Sequence, residues 1–331
     1  MNRPQIAAYL VVSLLLLPTS VLSVEYFIDA GLGSDSNDGS RDAPWRTITH
    51  AISSVEGSEE TPVTVLVAAG SYSGATNGET FPLTMKSWVS VIGKSRETTI
   101  LDAEGLAYHV IVCDCVNHLI ISGLTVTGGN AHDIRNNSGG GIFCIDSSPV
   151  IIDNIISENT ALFAGGGIEC GYGAPTISGN TIINNIVTFS APAGLGNGGG
   201  IDSRFSSPLI SDNLICFNSA GEGGGISCLE EGSPEIVDNL INQNDATYGG
   251  GVFCHYGLPS LRSNKITENR ATLGGAIDAG YNSPVIENNW IAGNEASGDG
   301  GAINCPNANS SLIQYNVISS NNAGSRAPII R

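Results

Sequence analysis

A short glycine-rich segment returns along the chain at nearly constant spacing, and this repeat constrains the fold more than any other feature. The segments begin at positions 139, 165, 198, 223, 249, 274 and 300, so the successive spacings are 26, 33, 25, 26, 25 and 26 residues. Self-similarity at such a period is typical of solenoids, in which each repeat contacts only its neighbours. We therefore interpret each repeat as one coil.

Each repeat also carries two asparagines with an isoleucine between them. Short β-branched segments separated by Gly and Asn favour strands and tight corners over helices. Strands of stacked coils hydrogen-bond at ~4.8 Å spacing, so equivalent residues form columns along the axis. We predict an all-β parallel β-helix solenoid of about 25-residue coils, with glycines at one corner and asparagines that hydrogen-bond amide to amide at two others. The asparagine pairs are Asn154 and Asn159, Asn180 and Asn185, Asn213 and Asn218, Asn239 and Asn244, Asn264 and Asn269, Asn289 and Asn294, and Asn316 and Asn321.

The charge of the chain limits its partners. The 331 residues carry 31 acidic and 13 basic side chains, a formal net charge of -18. Nucleic acids and anionic membranes bind proteins through Lys and Arg, so neither is an expected partner. An acidic polysaccharide would meet the same repulsion unless a divalent cation bridged the carboxylates, which makes calcium a conditional expectation.

The first 23 residues have the pattern of a signal peptide. Arg3 precedes an apolar run from Ala7 to Leu17, and Val21 and Ser23 occupy the cleavage positions. The alternative, a transmembrane anchor, needs ~20 apolar residues. We predict a secreted or cell-surface protein whose mature chain inserts into no membrane. The predicted regions are a signal peptide at 1–23, a cap and first coils at 24–110, β-helix repeats at 111–323 and a tail at 324–331.

The region after the predicted signal peptide resembles the opening of bacterial secreted β-helix proteins. It reads YFIDAGLGSDSNDGSRDAPWRTITHAI from Tyr26, followed by VLVAAGSYSG from Val65 and ETFPLTMKSWVSVIG from Glu79. These segments are similar to a domain of unknown function that precedes right-handed parallel β-helix repeats in the pectate-lyase-like superfamily. The resemblance implies a right-handed helix with an N-terminal cap. Helical spacing predicts a short cap helix over the open end of the core from Ile48, Ala51, Ile52 and Val55.

That superfamily includes pectate lyases, polygalacturonases, alginate-modifying enzymes and non-catalytic surface proteins, so the fold does not decide the activity. The polygalacturonase motifs and the Asp-Pro-His-Asp motif of mannuronan epimerases are absent from the sequence. The leading interpretation is a protein that binds or displays on extracellular polysaccharide. One alternative is a polysaccharide lyase or glycosidase acting on uronate-containing glycans. Another is a structural or adhesive surface protein.

Six cysteines share one position of the repeat, two residues after an inward isoleucine, and a buried column of thiols is the expected result. Export would permit disulfides between neighbouring coils, with Cys144 and Cys170, or Cys228 and Cys254, as candidate pairs. A metal site is disfavoured because a linear column gives no tetrahedral cage. The column comprises Cys113, Cys144, Cys170, Cys228, Cys254 and Cys305.

The residue before the cysteine position points out of the core, and there the sequence places candidate catalytic groups. Glu169 and Asp202 occupy this position in neighbouring coils, while Arg204 and His255 lie one residue beyond the cysteine position. In a lyase, the two carboxylates would bind calcium while Arg204 or His255 removed a proton. In a hydrolase, they would approach the ~5–5.5 Å separation of a retaining pair. A solvated strand face with ordinary polar side chains is the alternative.

Two further sets of residues are candidates for substrate binding. Aromatic side chains recur two residues past the cysteine position, and sugar rings would stack on them if they are exposed. An aromatic stack that closes a corner is the alternative. Two insertions, before positions 139 and 198, interrupt one corner and would overhang the edge of the Glu169 and Asp202 face. The aromatic residues are Tyr172, Phe205, Tyr256 and Tyr281, and the first insertion contributes His132, Asp133 and Arg135.

Overall fold

The computed structural model describes residues 23–107, 109–133, 137–189, 195–280, 284–306 and 311–324. They form a parallel β-solenoid of about nine turns, with about 26 residues per turn. The predicted fold class, an all-β parallel β-helix, is confirmed. Most of the predicted signal peptide and C-terminal tail lies outside the described residues. In the part of the chain that is described, no helix is both long enough and apolar enough to cross a membrane.

The predicted cap helix is present and runs Ile48–Ser54. Its N-cap is Thr47, whose hydroxyl accepts a hydrogen bond from the backbone nitrogen of His50 at 3.2 Å. The buried Glu79 carboxylate accepts from the backbone nitrogens of Ile48 and Thr49 at 2.7 and 2.9 Å, which satisfies two amides that a helix start leaves free. The helix therefore covers the N-terminal end of the core with Ile48, Ala51 and Ile52.

Three long parallel sheets and one short sheet form the walls of the solenoid. Sheet A contains Val24–Ile28, Val63–Val67, Val89–Gly93, Asn117–Ser122, Ser148–Ile152, Thr176–Ser178, Leu209–Ser211, Glu235–Val237, Ser260–Arg262, Val285–Glu287 and Leu312–Gln314. Sheet B contains Leu83–Thr84, Ile111–Asp114, Ile142–Ile145, Ile168–Gly171, Ile201–Arg204, Ile226–Leu229, Val252–His255, Ile277–Asp278 and Ile303–Asn304. Sheet C contains Gly70–Tyr72, Thr99–Ala107, Thr125–Ala131, Ile155–Ser157, Thr160–Ala161, Thr181–Ile183, Ile186–Val187, Leu214–Cys216, Leu240–Asn242, Lys265–Thr267, Trp290–Ala292 and Val317–Ser319. Sheet D contains Arg270–Ala271, Glu295–Ala296 and Asn322–Ala323.

Stacked inward columns fill the core. In sheet B, the register pairs Ile168 with Ile201 and Ile201 with Ile226, and all three are fully buried. The cysteine column follows two residues later and is buried as predicted except at its last member, Cys305, which is half-buried. None of the eight cysteines, all of them among the described residues, is joined in a disulfide, so the structure contains thiols rather than the candidate disulfides.

The two asparagine columns turn the chain at the two ends of sheet C. The side-chain nitrogen of Asn180 donates to the side-chain oxygen of Asn213 at 3.1 Å and to the carbonyl of Ile151 at 2.9 Å. The same Asn213 oxygen accepts from the Asn180 backbone nitrogen at 2.9 Å. The residue before each asparagine, such as Asp212, has a positive φ that most side chains avoid. These buried hydrogen bonds of the asparagine side chains join neighbouring coils and hold the strained corners in place.

The glycine corner needs two separate properties of glycine. Gly198 has φ +60, a left-handed conformation. Gly199 and Gly200 stand against the next coil so closely that an added Cβ would lie 2.5 and 2.6 Å from the carbonyl oxygens of Gly224 and Gly225. The predicted corner of positive φ and close backbone approach is therefore present. It folds the segment before each glycine run back over the outer surface of sheet B.

Candidate functional site

The predicted catalytic residues lie on the outer side of sheet B, in the predicted register. The strand pairing places Glu169 beside Asp202 and places Arg204 one residue past the inward column. His255 lies in the same column as Arg204, with Leu229 between them. The two carboxylates therefore come from adjacent coils, as the sequence predicts.

The alternative of a solvated strand face does not hold for these two residues, which point outward but are buried. Only 8% of Glu169 and 0% of Asp202 is exposed. The cause is a narrow parallel ladder formed by the residues just before the glycine runs, which the chain folds over sheet B. Because Gly165 turns so tightly, an added Cβ there would lie 2.7 Å from the backbone nitrogen of Glu169. We call this feature the outer ladder; its residues are Ser138, Ala164, Asn197, Glu222, Tyr248 and Leu273.

A recess of about 370 Å³ opens between the outer ladder and sheet B at the coils of Glu169 and Arg204. It lies beside the segments that follow the two insertions, which the sequence places at the edge of the Glu169 and Asp202 face. The small side chains of Ser138 and Ala164 in the outer ladder leave this space open. Its lining residues are Asn137, Ser138, Phe163, Ala164, Glu169, Asn197 and Arg204.

Buried acids without hydrogen-bond partners define the chemistry of the recess. Glu169 Oε2, both carboxylate oxygens of Asp202 and Arg204 Nε have no partner among the described residues. Burial raises the pKa of Glu169 well above its usual value, and the Asp202 charge adds to the shift. Burial also raises the pKa of Asp202, against the opposing effect of the Arg204 guanidinium. Such acids favour the protonated state or a polar ligand.

Asn197 connects the outer ladder to the floor of the recess. In the amide orientation that satisfies both neighbours, its nitrogen donates to Glu222 Oε2 at 2.7 Å and its oxygen accepts from Arg204 Nη2 at 3.1 Å. Burial raises the pKa of Glu222 as well. Asn197 and Glu222 were not among the predicted site residues. The repeat pattern does mark their position, because each directly precedes a glycine run and so belongs to a column of its own.

An exposed aromatic pair stands at the far end of the same strands. The rings of Tyr172 and Phe205 stack with centroids 5.1 Å apart and planes 8° from parallel. The two residues are 58% and 39% exposed, so the pair does not close a corner of the core. Phe205 directly follows Arg204, so the aromatic pair lies one residue beyond a residue that lines the recess.

His255 and Tyr256 are not part of the recess. His255 lies two coils from Arg204, ~10 Å along the axis, and its ring faces Asp278 at 3.5 Å and Phe253 at a 4.1 Å centroid distance. Tyr256 is 58% exposed and meets the His255 ring edge-on. Tyr281 lies outside the described residues.

The two insertions contact each other beside the recess. His132 Nε2 lies 2.8 Å from the hydroxyl of Thr188, at the start of the second insertion. Phe189 of the second insertion also packs on Phe163, a recess-lining residue of the coil between the insertions, with ring centroids 4.3 Å apart. His132 is exposed and Asp133 is half-buried, while Arg135 lies outside the described residues. The contact between the insertions fixes one wall next to the recess. A direct role for His132 and Asp133 in ligand binding stays a prediction.

The calcium expectation for Glu169 and Asp202 also stays a prediction. Among the described residues, no group of three or more His, Cys, Asp or Glu side chains is arranged to hold a metal ion. The two carboxylates offer oxygen ligands of the kind calcium prefers. The Arg204 guanidinium supplies positive charge to the same carboxylates and would compete with a cation.

A family comparison agrees with the resemblance in the N-terminal region. The model described as "Protein of unknown function (DUF1565)" matches residues 32–235, more than half of the chain, and the protein therefore belongs to this family. The matched region contains the cap, the first coils and the recess. No curated protein matches the sequence.

Several solved structures show a distant similarity. A rhamnogalacturonan lyase is 15% identical with a TM-score of 0.46, over 92% of this chain and 89% of that chain. The GH136 lacto-N-biosidase from Eubacterium ramulus is 12% identical with a TM-score of 0.41, over 89% and 68%. An alginate lyase from Paenibacillus sp. is 11% identical with a TM-score of 0.36, over 84% and 97%. TM-scores below 0.5 say nothing about the substrate of this chain.

Proposed function

We propose that this member of the DUF1565 family binds an extracellular polysaccharide along the outer side of sheet B. The ligand would stack on Tyr172 and Phe205 and place a sugar unit in the recess beside Glu169 and Arg204. The observation that supports this most directly is an exposed, parallel ring pair in which Phe205 directly follows Arg204, a residue that lines the polar recess. Aromatic faces bind the apolar faces of sugar rings, and hydroxyls bind unpartnered carboxyl oxygens.

The axial arrangement suits a chain-like ligand. Adjacent coils repeat at ~4.8 Å, so equivalent side chains form rows that an extended polymer can follow. Tyr172 and Phe205 already form one such row of two. Export, predicted from residues 1–23, would place this surface in contact with extracellular glycans.

The test is binding of the mature chain to a panel of soluble polysaccharides by affinity electrophoresis and titration calorimetry. We expect retention by at least one polymer, with Tyr172→Ala and Phe205→Ala each weakening binding about tenfold, because one aromatic contact contributes on the order of 1–2 kcal/mol. Retention by none of the polymers, or affinity unaltered in both variants, would reject the proposal in favour of a structural or adhesive role.

The chain provides a matched control for these variants. Phe217 lies in the same coil as Phe205, also has a positive φ, and is 51% exposed. It borders a different surface, near Asp245 and Arg270, away from sheet B. Phe217→Ala removes an equivalent side chain at an equivalent corner, and we expect it to bind as the parent does.

A second candidate function, glycosidase activity, is favoured by the raised pKa values of two adjacent carboxyl groups, of which Glu169 lines the recess and Asp202 is buried beside it. One acid would protonate the leaving oxygen while the other acted as nucleophile or base. A uronate lyase has less support, since His255 lies two coils from the acids and a guanidinium is not deprotonated in proteins. Release of new reducing ends that Asp202→Asn abolishes would establish the glycosidase.

A further inference from the structure

The charge arrangement of the recess carries information about the class of sugar. We infer that the recess accepts an uncharged, hydroxyl-bearing sugar unit and excludes a uronate, because its one cationic side chain is already engaged inside the protein. This inference rests on the proposed function. Arg204 is the one Lys or Arg among the described residues that line the recess.

Arg204 has one hydrogen-bond partner and one charged neighbour before any ligand arrives. One guanidinium nitrogen donates to Asn197, whose amide in turn donates to Glu222. The guanidinium also acts electrostatically on Asp202, which is 0% exposed and shares its strand and its outward direction. A uronate carboxylate bound to Arg204 would compete with that buried carboxylate for the same positive charge. The incoming anion therefore gains little from Arg204.

The unpartnered atoms of the site match hydroxyl groups better than carboxylates. Glu169 is nine-tenths buried, lines the recess and has one carboxyl oxygen without a hydrogen-bond partner. A hydroxyl donates and accepts at once, whereas an ionised carboxylate only accepts. A sugar hydroxyl in the recess can therefore donate to the Glu169 carboxyl and accept from the Arg204 guanidinium, the two charged side chains that line it. A carboxylate serves only Arg204 and meets the two acids as a third acceptor.

The surrounding charge acts in the same direction. Glu222 accepts from Asn197 and interacts electrostatically with Arg204, as Glu169 and Asp202 do, so three acids act on one guanidinium. Burial favours the neutral form of Glu169, which reduces the excess negative charge without making the site cationic. The protein as a whole has a formal net charge of -18, which repels polyuronates at long range.

The experiment compares polymers that differ in charge alone. The full mature chain is titrated with methyl-esterified homogalacturonan and the same polymer after de-esterification, with alginate and carboxyl-reduced alginate, and with glucuronoxylan and its carboxyl-reduced form. We expect at least one uncharged member to bind tenfold or more tightly than its charged partner at low salt. High salt should narrow the difference, because it screens the repulsion.

Two outcomes separate this inference from the proposed function. If a charged member binds as tightly as its uncharged partner, and Phe205→Ala weakens that binding, the inference is overturned while the proposed function stands. If no member of any pair binds, both are overturned. Calcium is added in a parallel series, and a charged polymer that binds better than its neutral partner only with calcium also overturns the inference, since it would place a bridging cation at the acids.

A gain-of-function variant tests the charge argument directly. Asn197→Lys places a second cation at the mouth of the recess, and we expect it to raise the affinity for the charged member of a pair at least tenfold. Ile152→Lys adds the same charge at a 38% exposed site on sheet A and serves as the matched control. If both variants gain affinity equally, or if neither gains any, an available cation in the recess does not determine the selectivity.

Discussion

Two halves of one surface differ in what lies over them. In the upstream half, outer-ladder residues Ser138 and Ala164 leave a recess above Glu169. In the downstream half, the ladder carries Tyr248, and its ring lies 6.5 Å from the ring of Phe253, which occupies the Glu169 column. The backbone course is the same in both halves. The side chain that precedes the glycine run decides whether the face is open or filled.

The downstream half pairs its buried acid, Asp278, although Asn304 Oδ1 has no hydrogen-bond partner among the described residues. Asn304 donates to Asp278 Oδ2 at 2.7 Å, and His255 Nε2 lies 3.5 Å from Asp278 Oδ1. Upstream, Glu169 Oε2 and both Asp202 oxygens have no hydrogen-bond partner among the described residues. Buried polar groups are normally paired, so unpaired ones are expected where a ligand completes the site. The difference teaches that one column holds a paired acid downstream and unpaired acids upstream, where we propose that a ligand binds.

Truncation of the buried Phe253 side chain in the filled half should cause the largest loss of stability. Phe253 is 2% exposed, and we expect Phe253→Ala to lower the free energy of unfolding by about 3–5 kcal/mol through lost burial and a cavity. The upstream member of the same column, Phe143, is only half-buried, so Phe143→Ala should cost clearly less. Urea denaturation followed by circular dichroism measures both variants. Equal losses would contradict the contrast between a filled and an open half.

Removal of a single charge should raise the free energy of unfolding in the upstream half and lower it in the downstream half, by about 1–3 kcal/mol at neutral pH. The folded-state pKa of Glu169 is raised, so the folded protein holds this proton more tightly than the unfolded chain. Stability therefore falls as the pH rises above the unfolded value of ~4.3, by at most ~1.4 kcal/mol per pH unit, until the folded pKa is passed. Glu169→Gln lacks this loss and should become more stable than the parent as the pH rises.

The downstream control for that variant is Asp278→Asn. Asp278 accepts from Asn304 and faces His255, so its neutral replacement should destabilise the protein. Thermal unfolding of both variants from pH 4 to pH 8 gives the comparison. A Glu169→Gln variant that is less stable than the parent at every pH would show that the upstream acid is paired as well as the downstream one.

The sequence was sufficient to predict the columns but not their covering. The constant spacing of Gly and Asn placed Glu169 beside Asp202 even though 33 residues separate them, because the insertion leaves the solenoid and returns to the same corner. Burial of these acids was not predicted. It depends on side chains such as Ala164 five residues earlier, and strand alternation carries no information about a segment that folds back over the strand.

Register alone also overestimates proximity along the axis. Arg204 and His255 share a column, which led to a single predicted site, yet two coils separate them by ~10 Å, well beyond hydrogen-bond reach. The amide of Asn197 illustrates a further limit. Its role follows from the orientation of one side chain between Glu222 and Arg204, and a repeat pattern does not specify that orientation.

The smallest change in stability should accompany conversion of the open half into the filled one. Ala164→Tyr copies the downstream Tyr248 into the outer ladder, and the recess of about 370 Å³ has room for the ring. The ring gains burial but covers the acids, so we expect a net change in the free energy of unfolding within ~1 kcal/mol. Polysaccharide affinity, measured by calorimetry, should nevertheless fall more than tenfold, because the sugar and the ring would occupy the same volume. Affinity retained in a folded Ala164→Tyr variant would mean that the ligand binds outside the recess, and the contrast between the two halves would then concern stability alone.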